Sequence, residues 1–279
     1  MSIDRLQAAI QAKSFVCVGL DPRLEWLPTE GTVSERLFDF NRQMIDATYD
    51  LAACFKLQIA FYEAHGLAGL KAYHQTIQYA KERDCLVIGD IKRGDIDSTA
   101  QAYAQAHFSG DFEVDWVTLN PYMGYDTLMP YLPYLQDHQK GIFVLVRTSN
   151  PGAKDIEYQW VDGQPLYLKV ADDLAKLAQD YLGESGASNI GFVLGGTQVE
   201  DISALRQRYQ QIPFLIPGYG AQGADPRAVR DYLGNQGHSI VNASRSIIYA
   251  FRDYPDGEER MGYYARQALE QMIATIERA

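Results

Sequence analysis

Eight short apolar runs of strand length recur along the chain, and helix-like patterning fills most of the intervals between them. They fall at 15–20, 52–58, within 86–95, and at 114–119, 141–147, 190–194, 213–217 and 239–243. The clearest helix-like segments cover 34–49, 63–83 and 98–108, with an N-terminal helix near 3–12 and a C-terminal helix near 257–277. Runs that are apolar on both faces suit parallel strands, because crossover helices cover both sides of such a sheet. Closing eight of them predicts an α/β fold, a (β/α)8 TIM barrel, with its active site in the loops after the strand C-termini. An open doubly wound sheet would want a glycine-rich dinucleotide turn after the first strand. Gly19-Leu20-Asp21-Pro22 is not one. The 279 residues contain no internal repeat, low-complexity tract or linker, so one domain over 1–279 is expected. The longest polar break, 150–165, reads equally as a lid or as a surface excursion.

A formal net charge of −11 argues against nucleic acid or an anionic membrane as the main partner, but leaves room for a local basic pocket. The three cysteines, Cys17, Cys54 and Cys85, lie in apolar runs. Their number and spacing fit neither a disulfide framework nor a zinc site, so buried inert thiols are expected. The N-terminus lacks the apolar core of a secretory signal, and no run approaches membrane-spanning length. A soluble, cytoplasmic protein is the simplest expectation.

The third run, Leu86-Val87-Ile88-Gly89-Asp90-Ile91-Lys92-Arg93-Gly94-Asp95, turns abruptly from apolar to charged. Residues two apart on a strand face the same way, so Asp90 and Lys92 project side by side. Gly94 lets the chain turn, and Asp95 adds a second carboxylate. Unpaired charge is costly to bury, so the array needs partners or a purpose. Taken alone, the hexapeptide is equally a salt bridge capping a strand. Lys56 sits between Phe55 and Leu57 inside the second run, where a lysine needs pairing. It is expected to share the mouth with Asp90, Lys92 and Asp21, the last of which also suits a simple Asp-Pro turn. Opposite charges at close range keep each other ionised, so Lys92 is expected to stay an ammonium. Ser149-Asn150-Pro151-Gly152 is turn chemistry by default, with Ser149 able to hydrogen-bond a ligand. Pro217-Gly218-Tyr219-Gly220-Ala221-Gln222-Gly223 lets backbone N–H groups approach a ligand closely. Ser244-Arg245-Ser246 offers a guanidinium at a helix start. In barrels the loops after strands seven and eight frequently hold phosphate, which makes a phosphate site the expectation there.

In this order the motifs resemble the orotidine 5'-phosphate decarboxylase family, and its longer bacterial branch in particular. Asp90-Ile91-Lys92-Arg93-Gly94-Asp95-Ile96 with Thr99 is similar to the family's Asp-x-Lys-x-x-Asp signature. Gly19-Leu20-Asp21, Phe55-Lys56-Leu57-Gln58 and the three loop motifs above match the rest, over about 15–249. One departure is Asp97, where the branch favours glycine. The resemblance implies Lys92 as the cation beside the pyrimidine C6 and its proton donor, with Asp90 between Lys56 and Lys92. It implies that Asp95 and Thr99 reach into the neighbouring subunit's site, hence a homodimer. Asp21 and Lys56 would hold the ribose and Ser149 the pyrimidine edge. Gln222 and Arg245, with the backbone near Ser244 and the loop from Pro217, would hold the phosphate. No cofactor and no metal are implied. The signature alone is shared with sugar-phosphate decarboxylases that use magnesium, which leaves that class as the nearest rival. A catalytically dead nucleotide-binding barrel would have little use for the charge cluster. A Schiff-base aldolase needs a neutral lysine, against the adjacent carboxylates.

Overall fold

In the computed structural model, residues 1–137, 139–195, 202–218 and 225–279 are described. The eight strands of the closed barrel are β1 (Val16–Gly19), β2 (Cys54–Gln58), β3 (Leu86–Arg93), β4 (Trp116–Leu119), β5 (Gly141–Arg147), β6 (Ile190–Leu194), β7 (Phe214–Ile216) and β8 (Ile240–Ala243). Each strand pairs in parallel with its neighbours in sequence, and β8 closes on β1 through Val16 opposite Val241. The expected barrel is therefore the observed fold.

Strand alternation divides the apolar residues into two cores. Val16, Val18, Phe55, Leu57, Val87, Val117, Val144 and Phe192 face outward onto the helices. Cys17, Cys54, Leu86, Ile88, Trp116, Phe143, Leu215 and Ile240 fill the barrel, with Ile3 and Leu6 of the N-terminal helix Ser2–Ala12 packed beneath them. Trp116 stacks on Phe143 at a centroid distance of 4.6 Å. Gly141 makes room for this pair, since a Cβ there would lie 2.4 Å from the indole. The same parity carries Lys56, Asp90 and Thr118 inward, one layer above this apolar plug. The cysteines are free and buried, and burial drives the Cys54 thiol well above its usual pKa.

Several boundaries differ from the sequence expectations. The segment expected as one helix over 63–83 is two, Ala60–Glu63 and Gly66–Lys81, broken where Gly66 takes a φ of +58°. At the C-terminus, Gly257–Glu259 is a separate 3-10 turn before the helix Met261–Glu277. The polar break over 150–165 is ordered by one helical turn, Ala153–Ile156, and an antiparallel pair of Trp160–Val161 with Gln164–Pro165. Asp162 and Gly163 both have positive φ in that turn, the Asp-Gly hairpin signal that the sequence reading passed over. Two register shifts lie at the active end of the barrel, between Gly89 and Arg93 and between Leu145 and Arg147. The second turns Arg147 away from the mouth. Its side chain is buried against the Gly195 carbonyl, the Tyr232 hydroxyl and the Tyr167 ring. No helix among the described residues is long and apolar enough to cross a membrane.

Candidate active site

Asp90 is the centre of the rim cluster. It ends the inward-facing row Leu86, Ile88, Asp90 on β3 and is 7% exposed. Each carboxylate oxygen accepts two hydrogen bonds. Oδ2 takes Lys56 Nζ at 2.8 Å and Gln58 Nε2 at 3.1 Å. Oδ1 takes Thr118 Oγ1 at 2.8 Å and Lys92 Nζ. Lys56, 5% exposed, also lies 4.0 Å from Asp21 Oδ1. Asp21 in turn accepts the Gln58 backbone N–H at 3.3 Å. Charge thus alternates Asp21, Lys56, Asp90, Lys92 around the mouth.

The electrostatics follow from that alternation. Burial opposes ionisation of Asp90, but the charges of Lys56 and Lys92 and their hydrogen bonds outweigh it and hold the carboxyl well below its usual range. Burial likewise opposes a charged Lys56, and Asp21 and Asp90 together keep its pKa above the ordinary lysine value. Lys92 differs from both in being open, with its side chain 44% exposed toward the mouth. Its backbone N–H donates to Thr118 Oγ1 at 3.0 Å, and its φ is +45°. Thr118 therefore donates to Asp90 and accepts from Lys92. It and Gln58 are site residues to which the sequence reading gave no role. Each is a polar residue at the mouth end of an apolar strand, which was the available signal.

The other candidates divide. Asp95 is not part of its own chain's cluster. Its Oδ1 accepts the Ile96 N–H at 2.8 Å, and among the described residues it forms no ion pair. The Asp/Lys/Asp array read along one strand is thus replaced by one drawn from β1, β2 and β3. Thr99 is exposed in the helix Asp97–Phe108, beside exposed Ile96. Ser149 is exposed just past β5 and packs against Gly195 at the end of β6. Pro217 follows β7 directly, whereas Tyr219 and Gln222 lie outside the described residues. Ser244 and Arg245 follow β8, with Arg245 exposed. The expected helix start there is a single turn, Arg245–Ile248, so the guanidinium outweighs any helix dipole at this point. Ser244 Oγ and Asn242 Oδ1 are buried without a hydrogen-bond partner among the described residues. Both lie beside Gly19 at the β1–β8 seam. Among the described residues no set of three or more His, Cys, Asp or Glu side chains is arranged to hold a metal ion.

Chemically, the mouth offers an accessible amine fixed beside a buried, ionised carboxylate. Such an arrangement is chemically able to stabilise negative charge close to the amine and to donate a proton there.

Comparison with known proteins identifies the family. Residues 14–253 match the model of the orotidine 5'-phosphate decarboxylase / HUMPS family. An orotidine 5'-phosphate decarboxylase of Petrotoga mobilis is 50% identical, covering 99% of this chain and 98% of the relative. The enzyme of the same name from Clostridium perfringens is 50% identical over 92% of each. A crystal structure from Toxoplasma gondii, 33% identical, matches with a TM-score of 0.82 over 99% of this chain and 98% of that one. Leishmania donovani OMP decarboxylase, 28% identical, matches with a TM-score of 0.77 over 100% and 99%.

Proposed function

The chain belongs to the orotidine 5'-phosphate decarboxylase / HUMPS family, and from that premise we propose that it converts orotidine 5'-phosphate to uridine 5'-phosphate and carbon dioxide in pyrimidine biosynthesis. The observation that carries the reading is Asp90 bridging Lys56 and Lys92, one lysine on each carboxylate oxygen. Breaking the bond from C6 to the carboxylate leaves its electron pair in the ring plane, orthogonal to the π system. The pyrimidine cannot delocalise it, so the protein must stabilise charge where it forms. Lys92 is the accessible cation for that role, and its Nζ proton then passes to C6, leaving a neutral amine. Asp90 puts negative charge beside the substrate carboxylate, which raises the ground state relative to the carbanion. Asp21 and Lys56 bind the ribose, Ser149 the pyrimidine edge, and Gln222, Ser244 and Arg245 with the loop from Pro217 the phosphate. Phosphate is remote from C6, and its binding energy is expressed in the transition state.

The same reading makes the enzyme a homodimer in which Asp95 and Thr99 complete the neighbouring site. That Asp95 forms no ion pair among the described residues, and that Ile96, Tyr122 and Met123 are exposed, supports that. The free, buried cysteines support a cytoplasmic location. The deciding experiment follows the absorbance of orotidine 5'-phosphate with EDTA present. Undiminished turnover is expected. No turnover, or turnover only of a sugar phosphate and only with magnesium, overturns the proposal.

A further inference from the structure

Lys92 is aimed from a backbone that does not hold itself. Its φ of +45° is a left-handed conformation that L-residues adopt rarely, and the β3–β4 register shifts between Gly89 and Arg93. The neighbouring side chain points the other way. Arg93 NH2 donates to Glu63 Oε1 at 2.8 Å, and its guanidinium lies 5.0 Å from the Tyr103 ring centroid. Arg93 Nε is buried with no hydrogen-bond partner among the described residues, so the NH2–Glu63 bond and the Tyr103 ring are what hold the group. Its carbonyl accepts the Asn120 N–H at 2.8 Å. Gly94 then passes the Asn120 carbonyl so closely that a Cβ would lie 2.8 Å from it. Glu63 ends the short helix after β2, the strand that carries Lys56, and Tyr103 belongs to the helix after β3.

We propose that Arg93 is a positioning residue for Lys92. Its guanidinium ties the end of β3 to the outer layer through Glu63 and Tyr103, and this fixes the kinked backbone that delivers the Lys92 amine to Asp90. The proposal rests on the reading of Lys92 as the group that acts at C6. A partly exposed ion pair adds little to global stability. The effect of losing it therefore falls on geometry, where a displacement of about 1 Å costs about 100-fold in rate.

The test compares wild type with Arg93→Met, Arg93→Lys and Glu63→Gln by steady-state kinetics, and solves the Arg93→Met crystal structure. Arg93→Met is expected to lose about 10- to 100-fold in kcat with KM within about twofold, since phosphate and ribose contacts are untouched. Arg93→Lys, which can still reach Glu63, recovers part of the loss. Glu63→Gln moves kcat in the same direction by about threefold or more, and decides the matter should Arg93→Met fail to fold. In the crystal, Lys92 Nζ leaves Asp90. A kcat within about twofold of wild type in Arg93→Met, or in Glu63→Gln where Arg93→Met does not fold, overturns the proposal, as does an unmoved Lys92–Asp90 contact. Absence of wild-type turnover would count against the decarboxylase reading instead, and the Lys92–Asp90 contact in the crystal would still decide the role of Arg93.

Discussion

Lys92 joins three properties that residue types seldom combine: a left-handed backbone, an ion pair to a buried carboxylate, and a side chain nearly half open to the mouth. Backbone strain of this kind costs about 1–3 kcal/mol and persists only where the surroundings impose it. Lys92→Ala is expected to abolish decarboxylation, by about 10⁴-fold or more, because cation and proton are lost together. Binding of uridine 5'-phosphate, read by calorimetry, is expected to survive. A near-normal rate would remove Lys92 from the chemistry. Asp97 also has a positive φ, +46°, a region that glycine enters without strain. Aspartate tolerates that region, whereas Asp97→Val is expected to lose about 1 kcal/mol in denaturant unfolding.

At the scale of the elements, each strand does two jobs along its length. The lower halves of β3, β4 and β5 pack Leu86, Ile88, Trp116 and Phe143 into a solid plug. Their upper ends carry the polar rim. The plug is tight where Trp116 lies over Gly141, so Gly141→Ala forces the indole aside. Overpacking of this kind is expected to cost about 1–3 kcal/mol, read as a lower denaturation midpoint. Activity per folded molecule is expected to stay near wild type, since the rim lies a layer above. A lost kcat at unchanged stability would mean that plug and rim are coupled. The bulge before Arg147 belongs to this scale too, because it sends a strand-end arginine outward that simple alternation would aim at the substrate.

For the molecule as a whole, acid should be the weak side. Burial pushes His107 and His238 down to about 4, helped by the nearby Arg93 and Arg206 respectively. A folded pKa below the unfolded value of about 6.5 means that the unfolded chain takes up protons first as pH falls. The stability due to these neutral histidines is complete above about pH 6.5 and is lost progressively down to pH 4. Asp90, held below its usual range, continues the loss through the carboxylate region. Urea midpoints measured across this window are expected to fall steadily, and a flat profile would contradict the burial of both rings. The proposed shared-site dimer has its own signature. Mixing unfolded and refolded Lys92→Ala and Asp95→Ala chains is expected to restore roughly a quarter of wild-type activity, from hybrid dimers with one intact site. No recovery on mixing would leave Asp95 without the role proposed for it.

Much of this was legible in the chain itself. Strand periodicity and burial on both faces determined a closed parallel barrel, because eight doubly apolar strands have few other ways to hide. The placing of Asp90, Lys92, Lys56 and Asp21 at strand ends likewise followed from alternation and chain order. What alternation could not decide was which carboxylate each lysine meets. That depends on register across β1, β2 and β3, on the kink at Lys92, and on Thr118 arriving from β4 to share Asp90. Asp95, next but two to Lys92 in sequence, turned out not to be its partner within the chain, because a left-handed residue and a glycine redirect the backbone between them. Local sequence fixes which residues can face inward; contacts among strands distant in sequence select the pairs that form.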